Sequence, residues 1–191
     1  MLFRRPPGRH LRGRLPASER YDGSDPLGST DPLIEAMPLP ELSEASVALH
    51  VDADDWREAI RVAGALLSDT RATDVAYTQR MIDVVEEFGA YVVIAPGLAL
   101  AHARPGADVH EDALVVATLA APVRFGHPHN DPVSVVLGLA VTTAESHVGW
   151  VAEIANVFND ETAIPRLAAA TTLDEVRAVF GASPLSGGGQ A

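Results

Sequence analysis

The run LALAHARPG, residues 98–106, ends an apolar stretch with a histidine, places an arginine two residues later and closes with a proline–glycine turn. A neutral imidazole is a good nucleophile near pH 7. It can accept a phosphoryl group, and phosphoryl transfer depends mainly on in-line positioning and charge neutralisation. His102 is therefore a candidate nucleophile and Arg104 a candidate cation. His147 is the second histidine of interest. It follows the apolar run VSVVLGLAV and falls in the first turn of a predicted helix with Thr143 as N-cap. The positive end of a helix dipole disfavours imidazolium and favours an incoming anion. With the two apolar runs as adjacent strands, both rings meet at one end of a sheet, where open α/β sheets collect ligands. The competing reading makes His102 an ordinary turn residue and His147 an ordinary residue of the helix surface.

The other five of the seven histidines carry less. His127 and His129 form an H-x-H with Asp131 nearby in FGHPHND, but a zinc site needs three or four identifiable ligands. His110 sits in the polar loop ADVHEDA, His50 near the domain edge and His10 in the N-terminal tail. Ser134 and Ser146 lack a Gly-x-Ser-x-Gly setting, and no Walker loop is present, so neither a serine hydrolase nor an ATP site is indicated.

These residues need a scaffold. Asp54 and Asp55 are candidate caps for a helix that places Trp56, Ile60, Ala63 and Leu67 on one face. A second helix is predicted from about Val75 to Glu87. YVVIA (residues 91–95) and LALAH read as strands. ALVVATLA (residues 113–120) and VSVVLGLAV (residues 133–141) have the length and β-branched content of strands buried on both faces. AESHVGWVAEIANVF reads as a helix with Val148, Val151, Ala155 and Phe158 on its apolar stripe. TAIPRLAAA suggests a short helix. In TTLDEVRAVFG, Thr172 and Glu175 form a capping box and Gly181 is the expected C-cap. Helices, strands and helices again suggest a sheet covered on both faces.

The chain has 191 residues, 47% of them apolar, which suits one globular domain with an extra segment. Its formal net charge of −12 disfavours nucleic acid and favours a partner carrying a basic patch. Cysteine is absent, which excludes disulfides and thiol catalysis from this chain. No apolar run reaches the roughly 18 residues of a membrane span, and a cytoplasmic protein is expected. Residues 1–36, rich in Pro, Gly, Ser and Asp, read as a disordered extension. Six arginines among its first 20 residues make it a basic arm or a solvated tail, and Met37 is an alternative start. The domain is expected over 37–181, with a flexible tail at 182–191.

From about Leu39 to Gly181 the chain resembles the mannitol/fructose-type enzyme IIA domain of the bacterial phosphoenolpyruvate-dependent sugar phosphotransferase system. The likeness rests on DDWREAIRVAGALL, YVVIAPGLALAHARPGADV, VRFGHPHNDPVSVVLGLAV, AESHVGWVAEIANVF and LDEVRAVFG, in that order. The IAPGLAL-x-HARP stretch is similar to the ascorbate-specific branch. The resemblance implies a mixed sheet of about five strands with helices on both faces. It implies that His102 accepts a phosphoryl group on its tele nitrogen from phospho-HPr and passes it to enzyme IIB, on a cysteine in this branch. Enzyme IIC is then an indirect partner, and no cofactor or metal is implied. His147 falls on the family's second active-site histidine, and Arg104 has a counterpart in the HARP pattern.

Two positions depart from the family pattern. Ala101 stands where proline usually precedes the nucleophile, which leaves that backbone freer. His129 replaces an acid in the GHPHND loop, which is expected to remove a charge from the rim of the site. Leu98, Leu100 and Pro105 are candidates for an apolar docking rim around His102. Two other classes remain open from sequence: a regulatory module of the same fold, read by a partner protein, and a histidine-based metal-binding or hydrolytic domain.

Overall fold

A computed structural model describes residues 39–181. The expected N-terminal extension, the alternative start at Met37 and the C-terminal tail lie outside the described residues. The elements are β1 (Val47–Val51), α1 (Trp56–Asp69), α2 (Ala76–Phe88), β2 (Val93–Ala95), β3 (Leu98–His102), β4 (Ala113–Val123), β5 (Val133–Ala140), α3 (Ala144–Phe158), α4 (Ala163–Ala169) and α5 (Leu173–Gly181). The sheet has five strands in the order β1-β4-β5-β3-β2. β1 runs parallel to β4 and β3 parallel to β5, while β4–β5 and β2–β3 are antiparallel. The mixed, five-stranded α/β fold expected from the sequence is therefore the fold observed.

Alternation along the strands builds two cores. Ala99, Ala101, Val115, Ala117, Val136 and Ala140 face α1 and α2. Leu98, Leu100, Leu114, Val116, Val135, Leu137 and Leu139 face α3, α4 and α5. The first face is lined with small side chains, so α1 packs close. A Cβ added at Gly138 would stand 2.6 Å from Val115 Cγ2 and 3.2 Å from Ala63 Cβ. Asp55 caps α1 by accepting from the Glu58 amide at 2.9 Å, and Glu58 reaches back to the Asp54 amide at 2.8 Å. Thr172 and Glu175 form the expected box at α5.

Several elements differ from their sequence reading. VALHV forms β1, an edge strand that periodicity did not separate from the preceding loop. In YVVIA a 3-10 turn occupies Ala90–Val92, and only Val93–Ala95 are strand. On α3 the buried stripe is Trp150, Ile154 and Val157; of the expected stripe, Val151 and Phe158 pack partly buried beside it, while Val148 and Ala155 are exposed. Val148 is 59% exposed, because α3 packs against the sheet through its opposite flank. Gly181, the expected C-cap, is the last residue of α5 and the last described residue, so the C-terminal cap lies outside the described residues.

Candidate functional site

β3 and β5 pair in parallel from Leu98↔Val135 to His102↔Leu139. Both therefore end on the same side of the sheet. β3 delivers His102 there, and β5 leads directly into α3. Thr143 caps α3 by accepting from the Ser146 amide at 3.1 Å, as expected, which fixes His147 in the first turn. The centroids of the His102 and His147 rings lie 5.2 Å apart. The two histidines singled out from sequence are thus brought together. Arg104 lines the same cleft and forms no ion pair among the described residues.

The His102 ring is held in one tautomer. Its Nδ1 lies 3.0 Å from the Leu100 carbonyl oxygen. A carbonyl only accepts, so Nδ1 is the donor and carries the ring proton. β2 pairs no further than Ala99, which leaves the Leu100 carbonyl available for this bond. In the neutral ring Nε2 then holds the free lone pair. Burial lowers the His102 pKa, helped by His147 and opposed by the Leu100 bond, to below the ordinary value of 6.5. The ring is therefore neutral, and nucleophilic at Nε2, at neutral pH.

Ala101 does not loosen this arrangement. It is 1% exposed and paired opposite Gly138, so strand pairing fixes the backbone that proline would otherwise restrain. Three further side chains brace the site, and the sequence did not single them out. Tyr77 of α2 is fully buried, with its hydroxyl 2.9 Å from the Ala103 amide and 2.8 Å from the Leu139 carbonyl. Arg80, one turn further along α2, pairs with Asp108 and donates to the Arg104 carbonyl, holding the loop that follows His102. Asp112 accepts from the Thr142 amide at 2.6 Å and its hydroxyl at 2.7 Å, securing the entry to α3. Burial pulls the Asp112 carboxyl up, but the Thr142 and Ser146 bonds outweigh it and hold it below its ordinary value. No pattern of spacing points to these residues. Tyr77 lies 26 residues from Ala103 and 62 from Leu139.

The cleft around the rings has a volume of about 880 Å³ and is walled by Val84, Phe88, Tyr91, Pro105 and Val148. Tyr91 stands edge-on to His102 at a centroid distance of 6.1 Å. This corrects the expected rim. Leu98 and Leu100 are buried in the core at 0% and 2% exposure, because strand alternation points them under α3–α5. Of the three expected rim residues only Pro105 is exposed at the cleft, beside Phe88, Tyr91 and Val148.

The GHPHND loop is not at this site. It precedes β5, at the opposite end of the parallel pair, so His129 replaces no charge at the rim. Its polar groups shape a turn instead. Asp131 accepts from the Phe125 and Gly126 amides at 3.0 and 2.7 Å. His127 Nδ1 accepts from the Asn130 amide at 3.0 Å, and the Asn130 side chain donates to the Val93 carbonyl at 3.1 Å. Among the described residues no three His, Cys, Asp or Glu side chains group as metal ligands. His110 is half-exposed and pairs with Asp74 at 2.9 Å. His50 is exposed on β1. His10 lies outside the described residues.

One apolar cleft thus gathers a histidine with Nδ1 bonded to a backbone carbonyl, a second histidine in the first turn of a helix and an arginine. The chain belongs to the EIIA 2 family of the phosphoenolpyruvate-dependent sugar phosphotransferase system, whose family model matches residues 41–182. It is 39% identical over 133 residues to the ascorbate-specific EIIA components of Salmonella typhimurium and Escherichia coli K12, covering 69% of this chain and 86% of theirs. The crystal structure of the mannitol IIA of Escherichia coli is similar at TM-score 0.66 and 29% identity, covering 74% of this chain and 99% of that one. The Escherichia coli complex of mannitol enzyme IIA with phosphorylated enzyme IIB contains a chain similar at TM-score 0.67 and 27% identity, covering 74% of this chain and 98% of that one. The protein is therefore a phosphocarrier component of a sugar phosphotransferase system. Among the described residues no helix is long and apolar enough to cross a membrane.

Proposed function

We propose that His102 Nε2 takes the phosphoryl group from phospho-HPr and passes it to an enzyme IIB domain, in the cytoplasm, during uptake of an ascorbate-type sugar. The observation that carries this reading is the Nδ1 bond to the Leu100 carbonyl, which leaves Nε2 as the ring's free nucleophile. The Nε2 lone pair attacks phosphorus as the donor's P–N bond breaks, and that electron pair returns to the donor imidazole. Transfer onward reverses the roles: the acceptor thiolate attacks, the P–Nε2 bond breaks, and His102 is again neutral. His147 hydrogen-bonds a phosphoryl oxygen, and Arg104 neutralises its charge. The carrier domain is read as residues 37–181, with 1–36 and 182–191 as flanking segments.

The test is phosphoryl transfer from phosphoenolpyruvate through enzyme I and HPr to this protein, then to a IIB domain. The expected label is acid-labile and alkali-stable, as a phosphoramidate must be. A protein that takes no label from a competent HPr would refute the reading.

Two expectations accompany it. In an NMR titration the His102 imidazole is expected to protonate only below pH 6.5, because burial lowers its pKa. The nucleophile thus stays available at neutral pH and is lost only as pH falls through that lowered pKa. A midpoint at or above 6.5 would contradict the buried-ring account. From Met37 onward 8 arginines face 21 acidic residues, so a partner with a basic patch is steered toward the carrier. Raising ionic strength is expected to slow transfer by weakening that encounter, measured as kcat/KM for the carrier. Equal values at low and high salt would remove the electrostatic contribution.

A further inference from the structure

The Tyr77 hydroxyl stands in for one rung of the β3–β5 ladder at the place where His102 leaves the sheet. In a parallel pair the bonding residues of one strand alternate. The Val135 amide donates to the Gly97 carbonyl at 3.0 Å, which makes Val135, Leu137 and Leu139 the residues of β5 that bond toward β3. Continued one step past the pair His102↔Leu139, this alternation would join the Ala103 amide to the Leu139 carbonyl. That bond is absent among the described residues. Instead the Ala103 amide donates to Tyr77 Oη at 2.9 Å, and Tyr77 Oη donates to the Leu139 carbonyl at 2.8 Å. The Ala103 carbonyl lies 3.1 Å from the same hydroxyl. A phenol has one proton, so the two carbonyls compete for it; the nearer Leu139 carbonyl takes the donated bond while one lone pair accepts from the Ala103 amide.

We infer that Tyr77 is a positioning residue for phosphoryl transfer: its hydroxyl wedges β3 from β5 at His102 and sets where Nε2 points. The oxygen takes the place of direct pairing at Ala103, one residue beyond the last paired couple, His102↔Leu139. His102 is thus the last residue that direct pairing holds, and its ring centroid lies 5.2 Å from that of His147. Tyr77 itself is held from both directions. Its ring is fully buried in the core under α2, and the Arg80 guanidinium lies 5.5 Å from the ring centroid. Arg80 continues on to the Arg104 carbonyl and to Asp108, so one face of α2 braces the backbone that follows His102. Tyr77 does not touch the phosphoryl group. It acts through the Ala103 backbone, one residue beyond His102.

This inference rests on His102 as the acceptor, and the test separates the two. Tyr77→Phe keeps the ring in the core and removes only the inserted oxygen. Amide hydrogen exchange at Ala103 is expected to accelerate at least tenfold, while exchange elsewhere in the sheet is unchanged. The rate of phosphoryl transfer is expected to fall about tenfold or more with the KM for HPr unchanged, since displacement of a reacting atom acts on the chemical step. Unchanged Ala103 exchange, or faster exchange with a wild-type transfer rate, would overturn the inference. So would a loss of rate that merely tracks the unfolded fraction seen by circular dichroism. Should Tyr77→Phe not fold, the wild type still decides: a slowly exchanging Tyr77 hydroxyl proton close to the Ala103 amide proton is expected by NMR, and its absence would overturn the inserted rung. If the wild type carries its label on a residue other than His102, the acceptor assignment fails, while the Ala103 exchange result still reports on the wedge.

Discussion

Replacing His102 by alanine is expected to reduce phosphoryl transfer through this protein by at least about 10⁴-fold, because it deletes the atom to which phosphorus bonds. His147 is not a substitute. It sits in the first turn of α3, where the helix dipole favours a bound anion, and nothing among the described residues fixes its tautomer as the Leu100 carbonyl fixes that of His102. The fold should survive. The substitution removes one hydrogen bond, to a carbonyl at a strand end, at a net cost of about 1 kcal/mol. The check is label incorporation from phospho-HPr alongside a circular dichroism melt. A folded alanine variant that still accepts phosphoryl groups at a rate near wild type would remove His102 from the mechanism.

Replacing His147 by alanine should cost about 10²- to 10³-fold in transfer rate, the range seen when one donor to a developing anion is removed. The reasoning is electrostatic. The loose transition state spreads charge over three oxygens, and the two rings lie close enough for His147 to reach one of them once phosphorus is at Nε2. The variant should still take label on His102, only slowly, which distinguishes it from the His102 variant. Its residual competence reflects what remains: Arg104 and the amides at the start of α3. Single-turnover transfer measures this directly. A His147→Ala protein with wild-type kinetics would mean that the second ring is a bystander.

The chemistry was more legible in the sequence than its supports. His102 and His147 stood out because each follows a different apolar run, and two such runs side by side bring their exits together. Thr143 could be read as a cap because capping is local: its hydroxyl and the Ser146 amide are three residues apart. Tyr77, Arg80 and Asp112 could not be read, since their partners lie 24 to 62 residues away. Leu98 and Leu100 were misplaced at the rim for a related reason. A strand that ends at a site still buries its middle, and sequence does not show where the burial stops. On α3 the apolar residues are dense enough to offer two stripes, and only the sheet beneath decides that Trp150, Ile154 and Val157 face inward. The H-x-H of the GHPHND loop is only a weak metal signal, and the structure makes the loop a turn. It is polar because a tight turn must satisfy the amides of Phe125, Gly126 and Asn130.

The central claim is that phosphorus is carried on Nε2 of His102, with Nδ1 protonated toward Leu100. Long-range ¹H–¹⁵N spectra of the phosphorylated, ¹⁵N-labelled protein identify the substituted nitrogen. The expected result is one phosphohistidine, His102, substituted at Nε2 with a proton retained on Nδ1. Phosphorus on Nδ1, or on the His147 ring, would contradict the account at its core.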